Sequence, residues 1–216
     1  MANYKFNGIG TTLSNLATLS NAKTRSISAE NFDGAKGKAG MATEGTGAGC
    51  ARDLGQGWKV SPSVRIEPHT TYTMAEINGS GAINHIWLTP SIHARFVIIR
   101  MYWDDQEYPS VEAPLSAFFG CAYDENFVDR DGKYPVLNSA MMLVAPGRGY
   151  NSYFEMPFHK RARITMENRG DKDEELFYII TGAYQEIPAE AGYFHATYRQ
   201  EHPVQKGRTY TIDEQI

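Results

Sequence analysis

An antiparallel jelly-roll β-sandwich with a short N-terminal helix, an all-β class, follows from three observations. From Trp58 onward, extended runs alternate with turn signals and no helical period intervenes. The run Arg161 to Asn168 alternates strictly: Ala162, Ile164 and Met166 face one way, and Arg161, Arg163, Thr165 and Glu167 the other. The chain is also rich in aromatic residues, with 13 Tyr and 10 Phe in 216 residues, and such side chains suit a pleated surface. A chain of this length can bury a substantial core as one domain.

Taken in order, residues 9 to 20 place Ile9, Leu13, Leu16 and Leu19 at near-helical spacing, which predicts a short amphipathic helix. This gives an N-terminal helical arm over 1–24 and a single jelly-roll domain over 25–216. Arg25 to Glu30 turns extended. Residues 31–57 then hold eight of the chain's 20 glycines and cannot form a regular strand. They read as a flexible surface loop, or as a binding loop whose glycines allow close backbone approach to a ligand or partner. No phosphate-loop pattern is present.

The predicted strands are Trp58 to Val60, Val64 to Glu67, Thr71 to Ile77, Ala82 to Leu88 and Phe96 to Trp103, then Ser110 to Leu115. They are separated by turns at Ser61-Pro62, Pro68-His69 and Asn78-Gly79-Ser80-Gly81. Phe96 to Trp103 is nearly all apolar, as expected of a central strand covered on both faces. Further strands follow at Leu137 to Val144, Tyr150 to Phe158, Arg161 to Asn168, Leu176 to Ile187, Tyr193 to Glu201 and Tyr210 to Ile212.

The net charge of −4 argues against a general nucleic-acid surface. No run reaches transmembrane length and no signal pattern opens the chain, so a soluble, cytoplasmic protein is expected. Two cysteines, Cys50 and Cys121, suggest no disulfide framework and no metal site; buried or partly buried free thiols are expected. The six histidines show no pair at metal-ligand spacing. The loop with Asp124, Glu125, Asp129, Asp131 and Gly132 lacks most of the calcium-loop pattern. No metal and no cofactor is therefore expected.

Residues 98–120 form the most informative stretch. A strand ends at Trp103, four polar residues Asp104, Asp105, Gln106 and Glu107 turn the chain, and a second run closes at Phe118-Phe119-Gly120. Aromatic faces beside carboxylates suit sugar binding, and they equally suit a plain hairpin with an acidic tip. No nucleophile elbow, zinc-protease helix or C-x-x-C occurs, so carboxylates are the available catalytic groups. Glycosidase chemistry would need two of them within about 5–10 Å. Asp104 with Glu112 or Glu30 would be such a pair in an independent hydrolase.

Seven motifs in order carry a resemblance. They are S-A-E-N from Ser28, the glycine-rich loop ending G-W-K, G-A-I-N-H-I-W-L-T from Gly81 and the 98–120 stretch. N-S-Y-F-E-M-P-F, A-R-I-T-M-E-N and Y-F-H-A complete the set. Together they resemble the bacterial domain of unknown function 2961 family, also classed as glycoside hydrolase family 172. The resemblance implies double jelly-roll subunits assembling as trimers or hexamers, and cleavage or rearrangement of fructofuranosyl or arabinofuranosyl linkages. Glu30 and Asn31, and Trp103, Asp104 and Asp105, match family motifs and are carried as substrate-binding or interface residues.

Two departures stand out. Ala117 occupies the position where the family has an acid in P-L-G-D-F-F-G. The family's catalytic G-E-G and G-T-G-T-E-D-Y motifs, which belong to its second jelly roll, do not occur in this sequence. No catalytic residue is therefore assigned. The expectation is the first jelly roll of a furanosidase, completed by a second chain carrying the other jelly roll, with a carbohydrate ligand. The alternative is a non-catalytic assembly or carbohydrate-binding module with a capsid-like fold.

Overall fold

The computed structural model describes residues 6–51, 53–90, 95–121, 136–145 and 149–211. In chain order the strands are β1 (Lys23–Ser28), β2 (Val64–Ile66), β3 (Thr71–Asn78), β4 (Gly81–Pro90), β5 (Val97–Trp103), β6 (Val111–Pro114) and β7 (Leu137–Asn138). Then come β8 (Met142–Ala145), β9 (Gly149–Ser152), β10 (Met156–Phe158), β11 (Arg161–Asn168), β12 (Glu174–Tyr184) and β13 (Ala196–Thr197). Two helical turns, α1 (Ala48–Ala51) and α2 (Leu115–Phe118), complete the elements.

The strands form two sheets. The first runs β1-β12-β4-β9-β8-β7, with β10 also on β4 and β2 also on β12. The second runs β13-β6-β5-β11-β3; its β13–β6 pair is parallel. Alternation in each strand sends one set of side chains inward. Ile83, Ile86 and Leu88 of β4 and Leu176, Tyr178 and Ile180 of β12 meet Val97, Ile99, Met101 and Trp103 of β5 and Ala162, Ile164 and Met166 of β11. This shared apolar layer holds the two sheets together as a β-sandwich.

Several expectations are corrected. Residues 9–20 form successive turns, not a helix. Thr12 N–H donates to Asn15 Oδ1 (2.7 Å), and Asn15 Nδ2 donates to the Gly10 carbonyl (3.2 Å). Such local side-chain bonds compete with the helical ladder. Leu13, Leu16 and Leu19 are 91%, 64% and 92% exposed, so no packed surface rewards the helix. Residues 58–60 and 210–211 form no strand, Tyr193 to Glu201 shortens to β13, and turns split the two predicted runs 137–144 and 150–158.

Only one face of β5 meets the core. Its other face, with Arg100 and Tyr102, is the outer face of the sandwich. Cys121 is buried, but Cys50 is exposed, and neither is in a disulfide. The acidic loop around Asp124 to Gly132 lies outside the described residues. Among the described residues, no helix is long and apolar enough to cross a membrane. Among them, too, no group of three His, Cys, Asp or Glu side chains is placed to hold a metal ion.

Candidate functional site

The β5–β6 hairpin tip is built from Trp103 outward. Alternation points Trp103 into the core, where it is fully buried and its Nε1–H donates to the Phe194 carbonyl (2.7 Å). Its ring offers no face to a ligand. Asp104 follows with φ +54°, a left-handed conformation that Asp tolerates better than most residues. That bend turns its carboxylate onto the β10–β11 turn. Oδ1 accepts the amides of His159 (3.0 Å), Lys160 (2.7 Å) and Arg161 (3.1 Å), and Oδ2 accepts the Tyr193 hydroxyl (2.6 Å).

Burial pulls the Asp104 carboxyl upward, but the Tyr193 hydroxyl and the three amides outweigh it and hold it below the usual carboxylate range. The same bond pushes the Tyr193 phenol up to about 12. A carboxylate with both oxygens engaged cannot take a proton from substrate without releasing its clamp. Asp105, next in the chain, is largely exposed and lies 4.0 Å from Arg161 Nη1, whose guanidinium pairs with Glu76.

Glu30 and Asn31 lie elsewhere. Asn31 pins the turn after β1: its backbone exchanges hydrogen bonds with Ser28 (3.0 Å each), and its Nδ2 donates to the Ala35 carbonyl (3.0 Å). Glu30 Oε1 accepts the Ser61 amide (2.8 Å), while Oε2 is buried without a partner. The glycine-rich segment folds over this region. A Cβ on Gly45 would sit 2.5 Å from Ser61 Cβ, and one on Gly47 2.8 Å from Pro62 Cδ. The close approach those glycines permit is thus to residues 59–62 of the same chain.

The two groups sit at different levels along the sandwich. Ser28, just before Glu30, pairs with Ile179 of β12, whereas Phe158, just before the turn clamped by Asp104, lies beside Gly81, which pairs with Tyr184. Five residues of strand separate those levels, on the order of 17 Å. Asp104 and Glu30 therefore do not form a carboxylate pair.

Glu112 and Glu167 do converge, but on a cation. Arg100 Nε bonds Glu112 (3.0 Å) and its Nη2 bonds Glu167 (2.7 Å), and Arg169 Nε adds a bond to Glu167 (3.1 Å). Arg169, and behind it Arg100, holds the Glu167 carboxyl below its usual range against the opposing pull of burial. Beside them, between Arg95, Phe96 and Tyr198, runs a groove of about 440 Å³. Among the described residues, Glu112 is the one carboxylate in its lining. Acid–base cleavage of a glycosidic bond needs two.

The outer face of the first sheet was not singled out by sequence reasoning. His85, Trp87 and Thr89 point outward from β4 while Ile86 and Leu88 point into the core. The His85 and Tyr153 rings stack in parallel, 4.7 Å apart at 6°. His85 Nε2 lies 3.1 Å from Asn151 Oδ1, and Asn151 is the cross-strand partner of Trp87. The readable signal was the alternation His85-Ile86-Trp87-Leu88-Thr89, which sets a tryptophan on a solvent-facing strand surface.

These features define a two-sheet, all-β sandwich in which the converging carboxylates are tied to cations and backbone amides. The chain belongs to the GH172 domain-like family, whose model matches residues 58–181, more than half of its length. No match is found among curated proteins.

Proposed function

We propose that this chain is the first jelly roll of a glycoside hydrolase family 172-like enzyme acting on fructofuranosyl or arabinofuranosyl linkages. Its catalytic carboxylates come from a second jelly roll on a partner chain. One observation carries the reading: within a chain of this family, the carboxylates brought together at Arg100 and at the Asp104 clamp are occupied by structural bonds. Hydrolysis or transfer therefore has to draw its acid and base from outside these groups. Asp104, anchored by the buried Trp103 before it, then shapes the rim against the partner, and Glu30, Asn31 and Asp105 contribute contacts to the partner or to sugar. Trimers or hexamers of the paired chains are the expected assembly.

The test is co-expression with a second jelly roll carrying the G-E-G and G-T-G-T-E-D-Y motifs. Release of nitrophenol from p-nitrophenyl arabinofuranoside and fructofuranoside is the readout. The pair is expected to hydrolyse at least one substrate, and the chain alone neither. Hydrolysis by the chain alone, abolished by Glu112→Gln, would overturn the reading.

A further inference from the structure

We infer that the outer face of the first sheet binds a neutral sugar ring at Tyr153, Trp87 and Asn151. This goes beyond the proposed reaction, because it assigns ligand binding and no bond cleavage to a face remote from the Asp104 clamp.

A sugar ring presents an apolar C–H face and a rim of hydroxyls, so its site needs a fixed aromatic surface with hydrogen-bonding groups at the edge. Tyr153 supplies the surface. Its ring lies flat on His85, and the residue as a whole is 42% exposed. His85 is itself held by Asn151 Oδ1, so the stack is ordered before a ligand arrives and little side-chain entropy is lost on binding. Trp87, two residues along β4 on the same face and half-buried, extends the aromatic area.

The edge groups are present and underused. Neither the Tyr153 hydroxyl nor the Trp87 indole N–H makes a hydrogen bond among the described residues. Asn151, only 9% exposed, lies at the floor of the face, and its Nδ2 has only a long bond, 3.4 Å, to the Gly149 carbonyl.

Charge sets the ligand class. The cross-strand row Ser28, Ile179, Trp87, Asn151, Leu143 and the neighbouring pair Thr181, His85 contain no Asp, Glu, Lys or Arg. Among the described residues of that row a phosphate or a uronate would find no cation, and the charge beside it is the Glu155 carboxylate on Asn84 (3.4 Å), whereas a neutral sugar needs no counter-charge. The face is also poor in exposed apolar area. Among the described residues its large apolar side chains more than a third exposed are Ile179 and Tyr153, with Met141 and Val136 at its margin, while a stable protein partner needs about 800 Å² per side.

The test titrates the full chain with neutral cello-, xylo-, fructo- and arabinofurano-oligosaccharides, read by calorimetry and by saturation-transfer NMR. Saturable binding of at least one is expected. Tyr153→Ala should weaken it at least about tenfold, Trp87→Phe less, and Arg163→Ala on the other sheet not at all. Tyr153 is exposed, so its variant retains the fold, checked by its melting temperature.

Binding by none of the sugars would overturn the inference, as would undiminished binding by Tyr153→Ala. So would a dimer in sizing that Tyr153→Ala dissociates, since a second copy would then own the face. Loss of furanoside hydrolysis by the paired chains, with sugar binding intact, counts against the proposed enzyme alone. Hydrolysis without binding at this face counts against the present inference alone.

Discussion

On the outer face of the second sheet, Arg169, Glu167, Arg100 and Glu112 form a chain of ion pairs across β11, β5 and β6, with Arg163 over the Tyr102 ring (4.1 Å) and Arg161 on Glu76. The outer face of the first sheet, from Ile179 through Trp87 to Leu143, has no charged side chain along that row. Both faces come from the same alternation of a half-buried strand. The charged face covers itself, since long side chains lie across one another and satisfy their own polar ends. The neutral face keeps aromatic surface and unused donors. A sheet surface that is saturated internally has little left to offer a ligand, so recognition belongs on the other.

The largest effect expected from breaking this contrast is at Arg100, whose side chain is 16% exposed and tied to two carboxylates. Arg100→Met should cost about 3 kcal/mol, because it leaves two half-covered carboxylates facing each other. Urea unfolding measures it, and restoration by Arg100→Lys to wild-type stability would show that the bidentate geometry contributes nothing.

Next comes Asp104→Ala, which strips four donors of their acceptor and should cost about 2 kcal/mol. The Asp104 and Glu167 carboxyls are both held below their usual values of 3.8 and 4.5. Their contribution is therefore complete above the unfolded values and is lost as pH falls through the folded ones. Unfolding midpoints of the wild type should drop below about pH 4.5, and Asp104→Asn should flatten that slope; an unchanged slope would remove Asp104 from the account.

Arg163→Ala removes the cation over Tyr102 and should cost about 1 kcal/mol. Smallest is Ile179→Thr on the neutral face, expected within about 0.5 kcal/mol. A cost of 2 kcal/mol or more there would mean that the neutral face is covered in the folded protein, and the contrast would fail.

The sandwich was readable because burial leaves a period of two in the sequence. Ala162, Ile164 and Met166 give β11, and the polar tip at Asp104 gives the β5–β6 hairpin. The N-terminal helix was misread because periodicity reports amphipathic potential and not whether a surface exists for Leu13, Leu16 and Leu19 to meet. The site residues were harder. Trp103 and Asp104 stand out by type, yet the same types serve a core anchor and a backbone clamp. What separates those roles is the arrival of residues 159–161 and 193, which no local pattern encodes. Glu30 and Asp104 share a familiar set of motifs, but only strand register reveals that they lie at different levels of the sheet.

The position of β12 between β1 and β4 dictates when the protein can finish folding. Lys23 waits for Tyr184, and Gly81 for the same residue. During synthesis the stretch from Pro90 to Tyr184 takes roughly 5–20 s to emerge. Throughout that interval β1 and β4 carry unpaired edges, so the newborn chain is most exposed to mispairing before its twelfth strand leaves the ribosome.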